Sequence, residues 1–261
     1  MSIQGPSKEA IHAAVTSAYG AVARTRGEDF PQAAACCSEE MTPVSDYTPE
    51  ELASVPKGAY LGEGSGAPVR YAGLKPGEVV VDLGAGAGMD TFLAANCVGP
   101  TGRVYGYDLT PDMIERARQN AAVGNYWNVT FERADIERLP LGDGAADVAI
   151  SNCVINLAPA KSAVFAEVFR VLRPGGRLSI SDIVLRGSSE AIQSFRQKAG
   201  PESWCACVSG ALGEEKYFAA IQGAGFADVQ LVAERPASAA GGQLGGELAV
   251  VAVTITARKP A

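Results

Sequence analysis

Apolar residues at Ile11, Val15, Ala18 and Val22 recur at spacings of three and four, which predicts an amphipathic helix over Lys8–Arg26. A polar stretch punctuated by proline and glycine follows, from Gly27 to about Gly77, with a short helix predicted at Pro49–Leu52. The texture changes at Pro76. Glu78–Asp82 is a short apolar run of the kind that fills a buried parallel strand, and further strands are predicted at Gly102–Tyr107, Asn128–Arg133, Ala146–Asn152 and Arg177–Val184. Between them lie predicted helices at Met89–Asn96, Asp112–Ala122 and Lys161–Leu172, the second capped by Thr110 with Pro111 at its first position. Strands alternating with helices of this length mean βαβ units and a mostly parallel sheet. Beyond them, Glu190–Lys198 and Glu214–Gly223 read as helical and Val229–Ala233 as extended. Ser238–Gly246 reads as a loop, and Leu248–Ala257 alternates like a strand. The expected division is an N-terminal helical arm over 1–70, an α/β core over 71–185 and a C-terminal α+β region over 186–261.

Composition narrows the chemistry. The chain has 261 residues, enough to bury a large core without disulfides or metals. Its net charge of −7 argues against a general nucleic-acid partner, which selects for basic surfaces. No apolar run approaches membrane-spanning length, the longest being Leu248–Val253. Met1–Lys8 lacks the basic and apolar regions of a secretory leader, so a cytoplasmic location is expected, with thiols kept reduced. The chain carries six cysteines and a single histidine, His12, so any soft-ion or sulfur chemistry has to come from cysteine. His12 lies on the first predicted helix and reads as a surface or partly buried residue, not a catalytic one.

Asp82-Leu-Gly84-Ala-Gly86-Ala-Gly88 closes the first strand and opens a helix. Glycines let backbone approach a ligand closely, and a helix N-terminus offers free N–H groups. The spacing is G-x-G-x-G, not the dinucleotide G-x-G-x-x-G. Asp108 ends the second strand, placed to accept from ribose hydroxyls. Asp135 with Ile136 follows the third, where an adenine amino group could be read. Both aspartates could instead be helix caps or solvated loop residues. The combination, with Leu172-Arg-Pro-Gly-Gly-Arg177 before the fifth strand, resembles the Rossmann-like class I S-adenosylmethionine methyltransferases over about residues 74–185. That resemblance implies S-adenosylmethionine as cofactor, no metal cofactor, and contacts from Asp82, Gly84, Ala85, Gly86, Asp108, Leu109, Asp135, Ile136 and Asn152.

A free cysteine is often just a small buried hydrophobe, and Cys97 beside Val98 fits that description. Cys153 is different: it follows the fourth strand, at the edge of a parallel sheet that faces the ligand crevice. Ser151-Asn-Cys-Val-Ile-Asn-Leu157, Cys207-Val-Ser-Gly-Ala-Leu212 and Ala35-Cys-Cys37 together resemble the arsenite methyltransferases, from about residue 34 onward. The resemblance implies that Cys153 and Cys207 bind arsenic, that Cys37 matches an N-terminal family cysteine, and that the C-terminal region binds substrate. Cys36, Cys37 and Cys205 remain candidates for a third bond. Where the family has Gly-Cys-Gly-x-Pro, this chain reads Gly64-Ser-Gly-Ala-Pro68, so Ser65 stands in place of the expected third cysteine. A hydroxyl is a poor ligand for a soft centre. Two thiolates suit methylarsenite better than inorganic arsenite, which has three bonds to make. A thiol reductant of the glutathione or thioredoxin type is the partner implied for product exchange. Two other readings stay open: a small-molecule C-, N- or O-methyltransferase on the same scaffold, and a non-catalytic arsenic-sequestering protein.

Overall fold

A computed structural model describes residues 6–25, 46–197, 208, 210–237 and 248–261. Cys36, Cys37, Cys205, Cys207 and the expected loop at 238–246 lie outside the described residues. Helix α1 spans Lys8–Thr25, and two short helices, α2 (Pro49–Ala53) and α3 (Pro68–Tyr71), precede the sheet. The core then runs β1 (Val79–Leu83), α4 (Met89–Val98), β2 (Arg103–Asp108), α5 (Pro111–Val123), β3 (Val129–Arg133), β4 (Ala146–Asn152), α6 (Lys161–Val171) and β5 (Leu172–Arg186). It ends with α7 (Ser189–Gln197), α8 (Glu214–Gly223), β6 (Ala227–Pro236) and β7 (Ala249–Arg258).

The strands form one seven-stranded sheet in the order β3-β2-β1-β4-β5-β7-β6. β1 to β5 pair in parallel, and β7 pairs antiparallel with both β5 and β6. The expected boundary at residue 185 falls inside β5, and the two strands beyond it continue the same sheet. Both faces of the sheet are covered, which is why β1 opens on three consecutive valines, Val79–Val81. Alternate residues face opposite ways. Val80 packs with Ala94, Ala95 and Val98 of α4, whereas Val81 and Leu83 join the cluster that holds Phe165 of α6 and Tyr217 of α8. Strand order reverses at β1, which has β2 on one side and β4 on the other. In an open α/β sheet such a reversal opens a crevice beyond the carboxyl ends of the strands.

Candidate active site

That crevice is a cleft of about 1380 Å³, part of it open to solvent. The sequence-predicted residues Asp82, Gly84, Ala85, Gly86, Asp108, Leu109, Asp135, Ile136, Asn152 and Cys153 all line it. They come from the ends of four neighbouring strands and the turns that follow.

The turn after β1 is held by backbone geometry. Gly84, Gly86 and Gly88 have φ of 69°, 53° and 103°. A side chain at Gly84 would collide with Val154, whereas one at Gly86 would meet nothing within 4 Å. The space over Gly86 is therefore room for a ligand to approach the backbone. Asp108 grips the turn from β2: its carboxylate accepts from Gly86 N at 3.0 Å and from Thr110 N at 2.8 Å. Burial raises its pKa, and these bonds work against the rise. Thr110 stands at the cap position of α5, but its side chain makes no capping bond.

Asp135 has charged company. Its carboxylate accepts from Glu137 N at 2.9 Å and pairs with Lys8 of α1 at 2.8 Å, while His12 Nε2 lies 3.9 Å away. Burial alone would raise its pKa, but the bonds to Lys8 and to the backbone outweigh it and the pKa is lowered. Helix α1, an arm by sequence, is thus a wall of the cleft, supplying His12, Val15 and Tyr19. Nothing in its local pattern distinguishes a helix that covers a site from one that covers core. Tyr47 and Asp90, also on the wall, went unread as well. Asp90 looks locally like an ordinary acid in the first turn of a helix.

Cys153 is buried and takes a left-handed backbone conformation, φ 58°, with its N–H donating to Ser181 O at 2.8 Å. It packs in one cluster with Ile11, Val15, Leu157 and Ile183. The turn after it rests on a buried carboxylate, Asp182, which accepts from Asn156 Nδ2 at 2.8 Å and Tyr217 Oη at 3.0 Å. Burial pushes Asp182 up to about 6. Lys161 donates to the carbonyls of Asn156 and Ala158 at 3.2 and 3.0 Å, closing the turn.

Asn152 holds the Ser65 loop against the end of β4. Its Oδ1 accepts from Ser65 N at 2.8 Å, and its Nδ2 donates to Gly66 O at 2.9 Å. Arg235 of β6 donates to Ser65 O at 2.7 Å. The Ser65 hydroxyl is buried with no hydrogen-bond partner. Cys207 lies outside the described residues, but its neighbour Val208 lines the cleft.

A seven-stranded 3-2-1-4-5-7-6 sheet with a glycine turn and acidic strand ends at its switch point defines a class I methyltransferase domain. A family model described as a methyltransferase domain matches residues 74–225. The chain is 42% identical over 245 residues to an arsenite methyltransferase of Halobacterium salinarum, covering 90% of this chain and 61% of that protein. It is 33% identical over 234 residues to an arsenite methyltransferase of Mus musculus, covering 85% and 59%. The crystal structure of an arsenic(III) S-adenosylmethionine methyltransferase from Chlamydomonas reinhardtii matches with a TM-score of 0.64 and 33% identity. That match covers 83% of this chain and 71% of that one. The chain belongs to the arsenite methyltransferase family. It spans about three fifths of the length of these two curated relatives.

Proposed function

We propose that the protein transfers a methyl group from S-adenosylmethionine to trivalent arsenic held by cysteine thiolates. One observation carries the reading: Cys153 shares a single cleft with the glycine turn, Asp108 and Asp135. A methyl donor seated on the turn and an acceptor held by Cys153 would occupy the same space. The open space over Gly86 and the acidic strand ends fit the cofactor. Asp108 and Leu109 would hold the ribose side, Asp135 and Ile136 the adenine, and Asp82, Gly84 and Ala85 the remaining tail. S-adenosylmethionine, when bound, supplies an electrophilic methyl group.

Cys153 and Cys207 would hold the arsenic, with Cys36 and Cys37 as further candidates. Thiolate-bound As(III) keeps a lone pair, so the acceptor needs no deprotonation and the site needs no general base. The protein's work is then mainly orientation and exclusion of water. Burial of Cys153 among Ile11, Val15 and Leu157 serves both. The family's third thiol is replaced by Ser65, pinned at both its N–H and its carbonyl. Its hydroxyl is hard and weakly acidic, a poor arsenic ligand. This supports methylarsenite, with one bond already occupied by carbon, as the preferred acceptor over inorganic arsenite. As the As–C bond formed, the S–C bond would break and S-adenosylhomocysteine would leave. A thiol reductant of the glutathione or thioredoxin type would return the arsenic to the trivalent state by two-electron reduction and carry product off the protein thiolates. The physiological setting would be cytoplasmic arsenic biotransformation.

The test is a rate comparison on arsenite and methylarsenite with a thiol present. Methylarsenite should be the faster substrate, and Ser65→Cys should narrow the gap. Cys153→Ser should lower methylation of either by ~100-fold or more, the scale lost when a reactant is no longer held in line. Full arsenic methylation by Cys153→Ser would overturn Cys153 as an arsenic ligand.

A further inference from the structure

We infer that Asp90 and Tyr47 form a subsite for a primary ammonium group, and that this subsite takes the α-amino end of the cofactor. The inference rests on the S-adenosylmethionine reading above. Asp90 opens α4, where an acidic residue normally stands in solvent and favours the helix dipole. Here it is 6% exposed and lies on the wall of the cleft. One oxygen, Oδ2, accepts from Tyr47 Oη at 2.6 Å and from Asn152 Nδ2 at 3.0 Å. The other, Oδ1, is buried without a hydrogen-bond partner. Both donors to Asp90 are neutral. Among the described residues no lysine or arginine lines the cleft, and the other acids near Asp90, Asp82 and Glu51, add negative charge.

A buried carboxylate with an orphan oxygen and no counter-charge is unfavourable unless a ligand completes it. The ligand's chemistry follows from what is missing. Among the described residues, no three potential ligands converge to hold a metal ion. Oδ1 needs a donor as well as a positive charge. A sulfonium brings charge but no N–H, whereas a primary ammonium brings charge and three donors. The amino end of the cofactor is therefore the part that satisfies Asp90. Burial and the neighbouring charge of Asp90 both raise the pKa of Asp82, so a cation at this point relieves two carboxylates together.

The experiment is calorimetric binding of three probes to wild type and Asp90→Asn. The probes are S-adenosylmethionine, S-adenosylhomocysteine and a deaminated S-adenosylhomocysteine whose α-amino group is replaced by hydrogen. The expected result is a ~10- to 100-fold loss for both aminated probes in the variant, the range of a charge-assisted hydrogen bond, with the deaminated probe within about two-fold of wild type. Equal loss for all three probes, or no loss for any, would overturn the assignment. Loss confined to S-adenosylmethionine would overturn it in favour of the sulfonium. A second comparison needs no variant: wild type should bind the aminated homocysteine nucleoside at least ~10-fold more tightly than its deaminated form, and equal affinities would overturn the subsite. Wild type that bound neither aminated nucleoside would overturn the cofactor reading itself.

Discussion

At the Asp108–Asp135 end of the cleft, each carboxylate already has its donors from the protein. Asp108 takes two backbone N–H groups, and Asp135 takes a third together with the Lys8 ammonium. At the Asp82–Asp90 end, the donors are neutral hydroxyls and an amide, and one oxygen has none. The Lys8 ammonium and a backbone bond hold Asp135 below the ordinary carboxylate range, burial raises Asp108 against its two backbone bonds, and burial pushes Asp90 up to about 6. The first end is shaped before any ligand arrives. The second is electrostatically incomplete, and its charge is to be met from outside.

Four measurements would break or sharpen that contrast. The largest effect is expected at the finished end. Asp108→Ala removes the acceptor for Gly86 and Thr110 as well as the proposed ribose contact, so S-adenosylmethionine affinity should fall ~100-fold in a calorimetric titration. A loss below about five-fold would mean that the glycine turn keeps its shape unaided.

The next effect is one of pH at the unfinished end. An ionised Asp90 attracts the cofactor's ammonium and a protonated one does not, so affinity should fall as pH drops through about 6. Asp90→Asn should bind weakly and without that dependence. The same shift acts oppositely on stability. Asp90 binds its proton more tightly folded than unfolded, so its contribution is fully present below ~3.9 and is lost as pH rises through about 6. Urea melts at pH 5 and 7 should show a smaller difference in Asp90→Asn than in wild type. The smallest effect belongs to Lys8→Ala. Lys8 is 43% exposed at its side chain, and surface ion pairs contribute little, so cofactor affinity should change by less than about five-fold.

The two ends also differed in how far sequence revealed them. Asp108 and Asp135 were legible because a strand ends in a fixed place relative to its sheet, so residues just after β2 and β3 had to meet at the crevice. Cys153 was legible through its position after β4 and through a recognisable seven-residue segment. Asn152 was named with them, but its partners Tyr47 and Asp90 were not: they lie 43 residues apart along the chain, and each has a bland local reading, as a loop tyrosine or a first-turn acid. Helix α1 was recognised as a helix but not as a wall, because its apolar stripe shows that it packs without showing against what. The parallel strands were all anticipated. The short helix α3 was not, since four residues carry no periodicity.

The left-handed backbone at Cys153 has a thermal consequence. A residue with a Cβ held at φ 58° costs ~1–3 kcal/mol that glycine would not incur. Replacing the cysteine by glycine should therefore yield a protein that melts higher than the alanine variant, although neither carries the thiol. A calorimeter comparing the two would read the strain at this position directly, with no arsenic in the cell. If glycine melts higher, the thiol is kept at the expense of heat resistance.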